Sequence, residues 1–223
     1  MIYIFDERAG GELLEIKGET FKYLIKVRRH TVGDRLSFRS QERPQILHTY
    51  KLLSVEPRSA TLALESSEEK VVKSEAELHI GWCIIDAKSV EKVLPSLCEM
   101  GVSKISFIAC RRSQKNFKVD LKRYERIVEA SMQQSGRSTF MEFALYKNLE
   151  SFLQEHEDVK VFDFCDKILE DGKGFTTVLI GCEGGFSPEE RELLAAQEVF
   201  RLKSPMVLRS ESAVAAVAAK ILL

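Results

Sequence analysis

Hydrophobic and polar positions follow two different rhythms along this chain of 223 residues. Up to about residue 68 the pattern is mostly that of strands. Asp34 to Phe38, Ile46 to Val55 and Ala60 to Leu64 are β-like, and period-two alternation is clearest in Ala60-Thr61-Leu62-Ala63-Leu64. One short helix is expected from Glu19 to Arg29, and Glu56-Pro57-Arg58-Ser59 reads as a turn. A small β-barrel with one helix fits these elements. A polar stretch poor in apolar residues begins at Ser66-Ser67-Glu68-Glu69-Lys70 and lasts to about Glu77, which reads as a linker.

From Leu78 onward strands and helices alternate. Leu78 to Ile85 is an apolar strand. The spacing of Val90, Val93, Leu94, Leu97 and Met100 predicts a helix over Ser89 to Met100, with Pro95 inside it and Gly101 ending it. Lys104 to Ala109 is the next strand. Asp120 caps a helix reaching Ser135, with Leu121, Tyr124, Ile127, Val128 and Met132 inward and Gly136 as its stop. A short helix from Asn148 to His156, a strand from Val159 to Phe164 and a strand from Thr176 to Ile180 continue the series. Strands separated by helical segments predict an α/β domain built on a mostly parallel sheet with helices on both faces.

The densest chemistry follows the last of those strands, in Ile180-Gly181-Cys182-Glu183-Gly184-Gly185-Phe186-Ser187-Pro188-Glu189-Glu190. Ser187 suits an N-cap, Pro188 the first helical position, and Glu190 the reciprocal partner of a capping box. Glycines at the carboxyl end of a strand, just before a helix, lie where open α/β sheets hold their ligands. The spacing is neither Gly-x-Gly-x-x-Gly nor a phosphate-binding Gly-x-x-x-x-Gly-Lys-Ser/Thr loop. The acid at Glu183 would repel a phosphate, so a neutral or cationic group suits this bend better. A tight turn without a ligand is the other reading of the loop alone.

Downstream, Val199-Phe200-Arg201-Leu202 is a short strand, Lys203-Ser204-Pro205 breaks it, and Met206-Val207-Leu208-Arg209-Ser210-Glu211-Ser212-Ala213 leads into an Ala-rich helix ending at Leu223. That helix is apolar nearly all round, which predicts burial. Ile-Gly-x-Glu-Gly-Gly-Phe-Ser-x-x-Glu followed by Val-Leu-Arg-x-Glu-x-Ala resembles the RsmE family of ribosomal RNA uridine-N3 methyltransferases, of the SPOUT class. The resemblance runs along most of the chain. It takes in Tyr23 to Arg29 with Val32-Gly33-Asp34, Lys88, Glu99-Met100-Gly101-Val102, Arg112-Ser113, Glu129-Ala130, and Gln134-Ser135 with Arg137. The chain departs from the family pattern at Tyr23 (usually His), Met141 and Cys182 (usually Pro), Ser204 (usually Gly) and Met206 (usually Arg).

The resemblance implies a PUA-like RNA-binding barrel over residues 1–68, a linker over 69–77, and a SPOUT methyltransferase domain with a C-terminal trefoil knot over 78–223. It implies a cytoplasmic homodimer whose active site the second subunit completes. It also implies S-adenosylmethionine as methyl donor and 16S RNA of the small ribosomal subunit as substrate. Main-chain groups around Gly181, Gly184 and Gly185, and from Leu202 through Ser204 to Leu208, would hold the cofactor, with Val207 and Leu208 flanking its adenine. Glu183 would compensate the sulfonium charge or organise the loop through main-chain N–H groups. Arg209 and Arg112 would stabilise the uracil anion that methylation at N3 requires, with Glu211 orienting Arg209. A salt bridge for Arg209 and a phosphate clamp for Arg112 are the alternatives. Lys26, Arg28, Arg29, Arg112 and Arg137 are the expected RNA contacts. No metal centre is expected, and the proton acceptor is left unassigned because His30, His48, His79 and His156 all lie outside the matched motifs.

Composition narrows this only slightly. The hydrophobic share is 44%, the charged share 30%, and the formal net charge −1, so charge alone does not announce a nucleic-acid partner. Its distribution is more informative. Basic residues gather at Lys22, Lys26, Arg28, Arg29, Arg35, Arg39 and Arg43, and again at Arg111, Arg112, Lys115, Lys118, Lys122, Arg123 and Arg126. No membrane span or signal peptide is expected. Five scattered cysteines predict reduced thiols, with Cys83, Cys98 and Cys110 as small core residues. Another SPOUT methyltransferase acting on a different RNA, or an RNA-binding protein without catalysis, remain as alternative readings.

Overall fold

The computed structural model describes residues 2–114, 118–172 and 174–223, so Lys115 lies outside the described residues. The chain divides into two compact units, Met1–Lys73 with Met132–Thr139, and Ser74–Ser131 with Phe140–Leu223.

In the first unit the alternating residues do build a sheet. β1 (Ile4–Phe5), β2 (Leu13–Lys17), β3 (Arg35–Arg39), β4 (Ile46–Val55) and β5 (Ser59–Glu69) pair in the order β1-β3-β4-β5-β2. β1 runs parallel to β3 and the other pairs are antiparallel. Leu14, Ile16, Leu36, Phe38, Tyr50, Leu52, Ala60 and Leu62 turn one face inward, onto Phe21 and Leu24 of the helical segment. Burying such a side chain contributes about 1.5–3 kcal/mol. β1 and β2 are the two ends of this order, so the sheet is open in its pairing. β5 continues through Ser66–Glu69, where the composition reads as linker. Those polar residues stay in the strand because β4 supplies their partners, Thr49↔Ser66 through Ile46↔Glu69. The expected helix forms over nearly the predicted span, but with two pitches. α1 (Gly18–Phe21) passes directly into a π-helical turn, Lys22–Val27.

Two of the expected surface cations are buried in this unit. Arg39 is 1% exposed, lies 4.9 Å from the Tyr3 ring centroid, and donates to the carbonyls of Pro44 and Lys70 at 2.5 and 2.9 Å. Arg137 is 6% exposed, its Nε donates to the Thr139 carbonyl at 2.6 Å, and its own carbonyl accepts from the Tyr3 hydroxyl at 2.6 Å. Both guanidiniums serve backbone groups of the interior, so neither forms part of a basic surface.

The second unit has the predicted α/β alternation. Its elements are β6 (His79–Cys83), α2 (Ala87–Met100), β7 (Lys104–Ile108), α3 (Leu121–Ser135), β8 (Glu142–Tyr146), α4 (Leu149–Glu155), β9 (Lys160–Phe162), β10 (Thr177–Ile180), α5 (Pro188–Leu193), β11 (Glu198–Phe200) and α6 (Ser210–Leu222). The last residues of α3 cluster with the first unit. The sheet is entirely parallel, in the order β11-β9-β10-β6-β7-β8. Helix boundaries follow the expected signals. Asp86 caps α2, Gly101 closes it at φ 100°, and Gly136 follows α3 at φ 89°. α6 packs on α2 and β10 and buries Ala213, Val214, Val217 and Ala218. No helix of the described residues is long and apolar enough to cross a membrane.

Cys83, Cys98 and Cys110 are buried as expected, but two of them are not reduced. Cys83, at the end of β6, and Cys110, just after β7, form a disulfide with Cα atoms 5.6 Å apart. Parallel pairing of β6 with β7 brings these chain ends together, a proximity that spacing along the chain does not reveal. Cys98 and Cys182 are buried free thiols.

At the opposite end of β6, His79 Nε2 meets Ser106 Oγ at 2.7 Å, and its ring lies 4.7 Å from that of His156. Burial, with His156 and Lys104 nearby, pushes the His79 pKa down to about 3. The unfolded chain therefore binds a proton here that the folded chain refuses between pH 6.5 and about 3. Stability should fall as pH drops through that window, by at most about 1.4 kcal/mol per pH unit from this one group. Denaturant unfolding at stepped pH should give a shallower acid slope for His79→Gln than for the wild type. Identical slopes would exclude His79 as a source of the effect.

Candidate active site

β10 lies between β9 and β6, and the chain reaches β9 only after building outward through β7 and β8. This is the point where strand order reverses, and loops at the carboxyl ends of strands there open a crevice. The glycine bend occupies it. After Ile180, Gly185 N–H donates to the Cys182 carbonyl at 2.9 Å, and Gly185 takes φ 64°, a conformation that favours glycine. Ser187 then caps α5, its Oγ accepting from Glu190 N–H at 3.2 Å while Glu190 accepts from Ser187 N–H at 2.8 Å. The predicted capping box is complete, with Pro188 in the first turn.

Two side chains lock the bend to its surroundings. Ser210, the first residue of α6, is 5% exposed. Its hydroxyl donates to the Gly181 carbonyl at 2.6 Å and accepts from the indole N–H of fully buried Trp82 at 2.8 Å. Glu190, 3% exposed, uses its second carboxylate oxygen to accept from Arg111 N–H at 2.8 Å. That bond fixes the segment after β7, from which Arg112 reaches across to donate to the Gly184 carbonyl at 2.7 Å. A side chain at residue 184 would begin 3.1 Å from Arg112 Cβ, so the close approach suits glycine.

The second bend meets the first. Ser204 N–H donates to the Leu202 carbonyl at 2.9 Å, and Ser204 Oγ accepts from Met206 N–H at 3.1 Å. Both bends line one cleft of about 500 Å³, which takes in Gly181, Glu183, Gly184 and Gly185 from one side and Leu202, Ser204, Val207 and Leu208 from the other. Phe164, Met206 and Val207 are 72%, 71% and 76% exposed and also line it. Large apolar side chains gathered in the open are unusual unless something covers them. Main-chain polar groups beside an apolar wall suit a flat heterocycle with hydrogen-bonding edges.

The candidate catalytic residues divide by what holds them. Arg209 is exposed at the cleft, immediately before α6, and its guanidinium makes no hydrogen bond or ion pair among the described residues. The salt bridge considered for it is not formed. Glu211 sits in the first turn of α6, where an acid is favoured, but makes no ion pair with Arg209. Glu183 is exposed and accepts no hydrogen bond among the described residues, so other groups organise the loop. Arg112 is exposed yet engaged with Gly184. Lys26, Arg28 and Arg29 are exposed in the first unit. The sequence reading missed Ser210 and Trp82, Phe164, and the Arg191–Asp163 ion pair at 2.7 Å beside the cleft. Trp82 is the only tryptophan in the chain, and that was the one available signal.

A parallel sheet with a glycine bend at its switch point, and an unpaired arginine beside an open cleft, define a ligand-binding α/β domain. The RNA methyltransferase domain family matches residues 72–222. The chain belongs, more closely, to the ribosomal RNA small subunit methyltransferase E family. It is 34% identical over 217 residues to a member from Helicobacter pylori, covering 96% of each chain. It is 30% identical to one from Aquifex aeolicus over 60% of its own length. Among solved structures, it is similar to a Legionella pneumophila methyltransferase solved with S-adenosylmethionine bound, at TM-score 0.77 and 24% identity over 97% of this chain and 94% of that one. It is also similar to the Neisseria gonorrhoeae small subunit methyltransferase E bound to S-adenosylmethionine, at TM-score 0.75 and 19% identity over 98% and 95% of the two chains.

Replacing Ser210 with Ala removes the partner of a buried indole N–H and of the Gly181 carbonyl. Equilibrium unfolding should show a loss of about 2–4 kcal/mol for Ser210→Ala. Wild-type stability in Ser210→Ala would show that the bridge contributes nothing.

Proposed function

We propose that this protein transfers a methyl group from S-adenosylmethionine to N3 of a uridine in 16S RNA of the small ribosomal subunit. The observation that carries the reading is the cleft itself: two main-chain bends, an exposed apolar wall and an unpaired arginine in one place. The cofactor, when bound, supplies an electrophilic methyl group on a sulfonium centre. Main-chain groups of Gly181 to Gly185 and of Leu202 to Leu208 would hold it, with Met206 and Val207 covering its apolar surface. The Ser204 side chain closes its own turn through Met206 N–H, so the two departures there leave the cleft open.

The uridine N3 lone pair is delocalised into the imide until its proton leaves. Arg209, free of internal partners, places positive charge where the uracil oxygens would gain negative charge, which lowers the cost of releasing that proton. Holding base and methyl group in line accounts for much of the rest. Arg112 fixes the Gly184 side of the slot and presents its remaining N–H groups to the RNA backbone. Glu211 favours the start of α6 and so the placement of Arg209. Exposed Lys26, Arg28 and Arg29 would contact phosphates from the first unit, which we read as a PUA-like module over residues 1–68, joined by a linker over 69–77. We read residues 78–223 as a SPOUT domain knotted at its C-terminus, working as a cytoplasmic homodimer on the assembled subunit or its RNA. The return of the chain from edge strand β11 to α6 against β10 supports the knot.

Incubation with S-adenosylmethionine and small subunits, followed by nucleoside mass spectrometry, should yield 3-methyluridine. Arg209→Ala should lower turnover by about 100-fold or more while cofactor affinity and thermal stability stay near wild type. Methylation confined to another nucleoside, or near-normal turnover in Arg209→Ala, would refute the assignment.

A further inference from the structure

The first unit contains two backbone irregularities side by side. After α1 the helical bonding widens, and Arg28 N–H donates to the Tyr23 carbonyl, five residues back, at 2.8 Å. In an α-helix, residues five apart stand about 140° apart around the axis and face different ways. The π-helical turn brings them to one side. The Arg28 side chain then returns to the same residue: Nε donates to the Tyr23 hydroxyl at 2.7 Å, and the guanidinium carbon lies 5.3 Å from the ring centroid. The chain leaves this turn through Arg29 at φ 61°, the one positive φ at a non-glycine residue among the described residues. Widened helical turns and strained backbone persist mostly where they serve a site.

A cavity of about 430 Å³ opens beside this turn. Tyr3, Tyr23, Arg28 and His30 form its sides, while Leu24 and Leu36 of the unit's core line it as well. Its volume falls in the range of about 300–1,000 Å³ typical of small-molecule sites. Neighbouring polar groups are already engaged, Arg35 with Glu65 at 2.5 Å and His30 with Asp34 at 3.1 Å. Arg28 is different. Only its Nε is used, its two terminal nitrogens bond nothing among the described residues, and exposed Lys26 and Arg29 beside it make no ion pair. A planar cation anchored through one edge, beside a cavity lined by both polar and apolar side chains, offers a stacking face for a base and free N–H groups for a phosphate.

We propose that this cavity receives one unpaired nucleotide of single-stranded RNA, its base against the Arg28 guanidinium plane and its phosphate on the terminal nitrogens of Arg28. The proposal rests on the RNA methyltransferase reading above, and adds a recognition pocket that takes no part in methyl transfer. Tyr23 is the positioning residue, since its hydroxyl sets the plane of Arg28.

Fluorescence anisotropy on the full chain tests this, with a labelled short oligouridylate and an abasic oligomer of equal length carrying the same phosphates. The wild type should prefer the oligouridylate by about 10-fold or more. Arg28→Lys, which keeps the charge and loses the plane, should abolish that preference while still binding the abasic oligomer. Tyr23→Phe, a minimal change that should leave the fold intact by circular dichroism, should reduce the preference part-way. Equal wild-type affinity for the two oligomers, or an unchanged preference in Arg28→Lys, would overturn the proposal. Calorimetry with S-adenosylmethionine on the same proteins keeps the two readings apart. Unaltered cofactor binding is expected in both variants, and a wild type that binds the oligouridylate but no cofactor would overturn the methyl-transfer reading alone.

Discussion

One hydroxyl holds the two halves of the cleft together. Ser210 Oγ stands between the indole of Trp82, on the central strand β6, and the carbonyl of Gly181, at the exit of β10. Ser210 also opens α6, so the same group ties the start of that helix to the floor of the sheet and to the glycine bend. Arg209 precedes it by one residue, with an extended backbone at φ −65° and ψ 157°. A short polar side chain in a dry interior can serve as such a hinge pin only if both its donor and its acceptor capacity are used, and here they are.

A contrast between held and free charges organises the rest. Glu190 is buried, and each of its carboxylate oxygens accepts a main-chain N–H, one from Ser187 and one from Arg111. Its work is therefore geometric. Arg112 is shared, one nitrogen on Gly184 and the remainder toward solvent. Arg191 is neutralised by Asp163 at 2.7 Å. Against this background Arg209 stands out, because nothing in the described residues satisfies it. An unpaired cation beside an apolar wall retains its full capacity to act on a ligand, whereas one already committed to a carboxylate would have to break that pair first. The same distinction sets Arg28 apart from Arg35 and Arg39 in the first unit.

Much of this was legible in the sequence, for local reasons. The start of α5 was readable because a capping box is a contact between residues three apart. The ends of α2 and α3 were readable because Gly101 and Gly136 must adopt positive φ. The two bends could be expected to share a cleft because a matched family pattern linked them, and they do share one. What escaped is non-local. Arg39 and Arg137 look like surface cations until the fold surrounds them with carbonyls. Cys83 and Cys110 look unrelated until parallel pairing aligns their strands. β8 also escaped, although Phe143-Ala144-Leu145-Tyr146 is an apolar run; it is an edge strand, and of its residues only Tyr146 is buried. The π-helical turn is invisible to a helical periodicity, which allows only one pitch.

The departures from the family pattern change which groups hold the two bends. A glycine in a turn supplies freedom of φ and room. Ser204 supplies neither, but its Oγ accepts from Met206 N–H two residues on, the kind of local bond by which serine stabilises turns. Cys182, in place of a proline, leaves a buried thiol whose Sγ lies 3.8 Å from the Gly185 carbonyl, inside the turn that the Gly185 N–H closes. Burial pushes that thiol's pKa up, so it stays neutral and behaves as a small packing group rather than a nucleophile. Met206 exchanges a cation for a flexible apolar side chain at the rim of the cleft. That change leaves Arg209 with less competing positive charge beside it, and gives a heterocycle more apolar surface to cover. The two bends are thus held by these local bonds, and Arg112, Arg191, Arg201 and Arg209 supply the positive charge that lines the cleft.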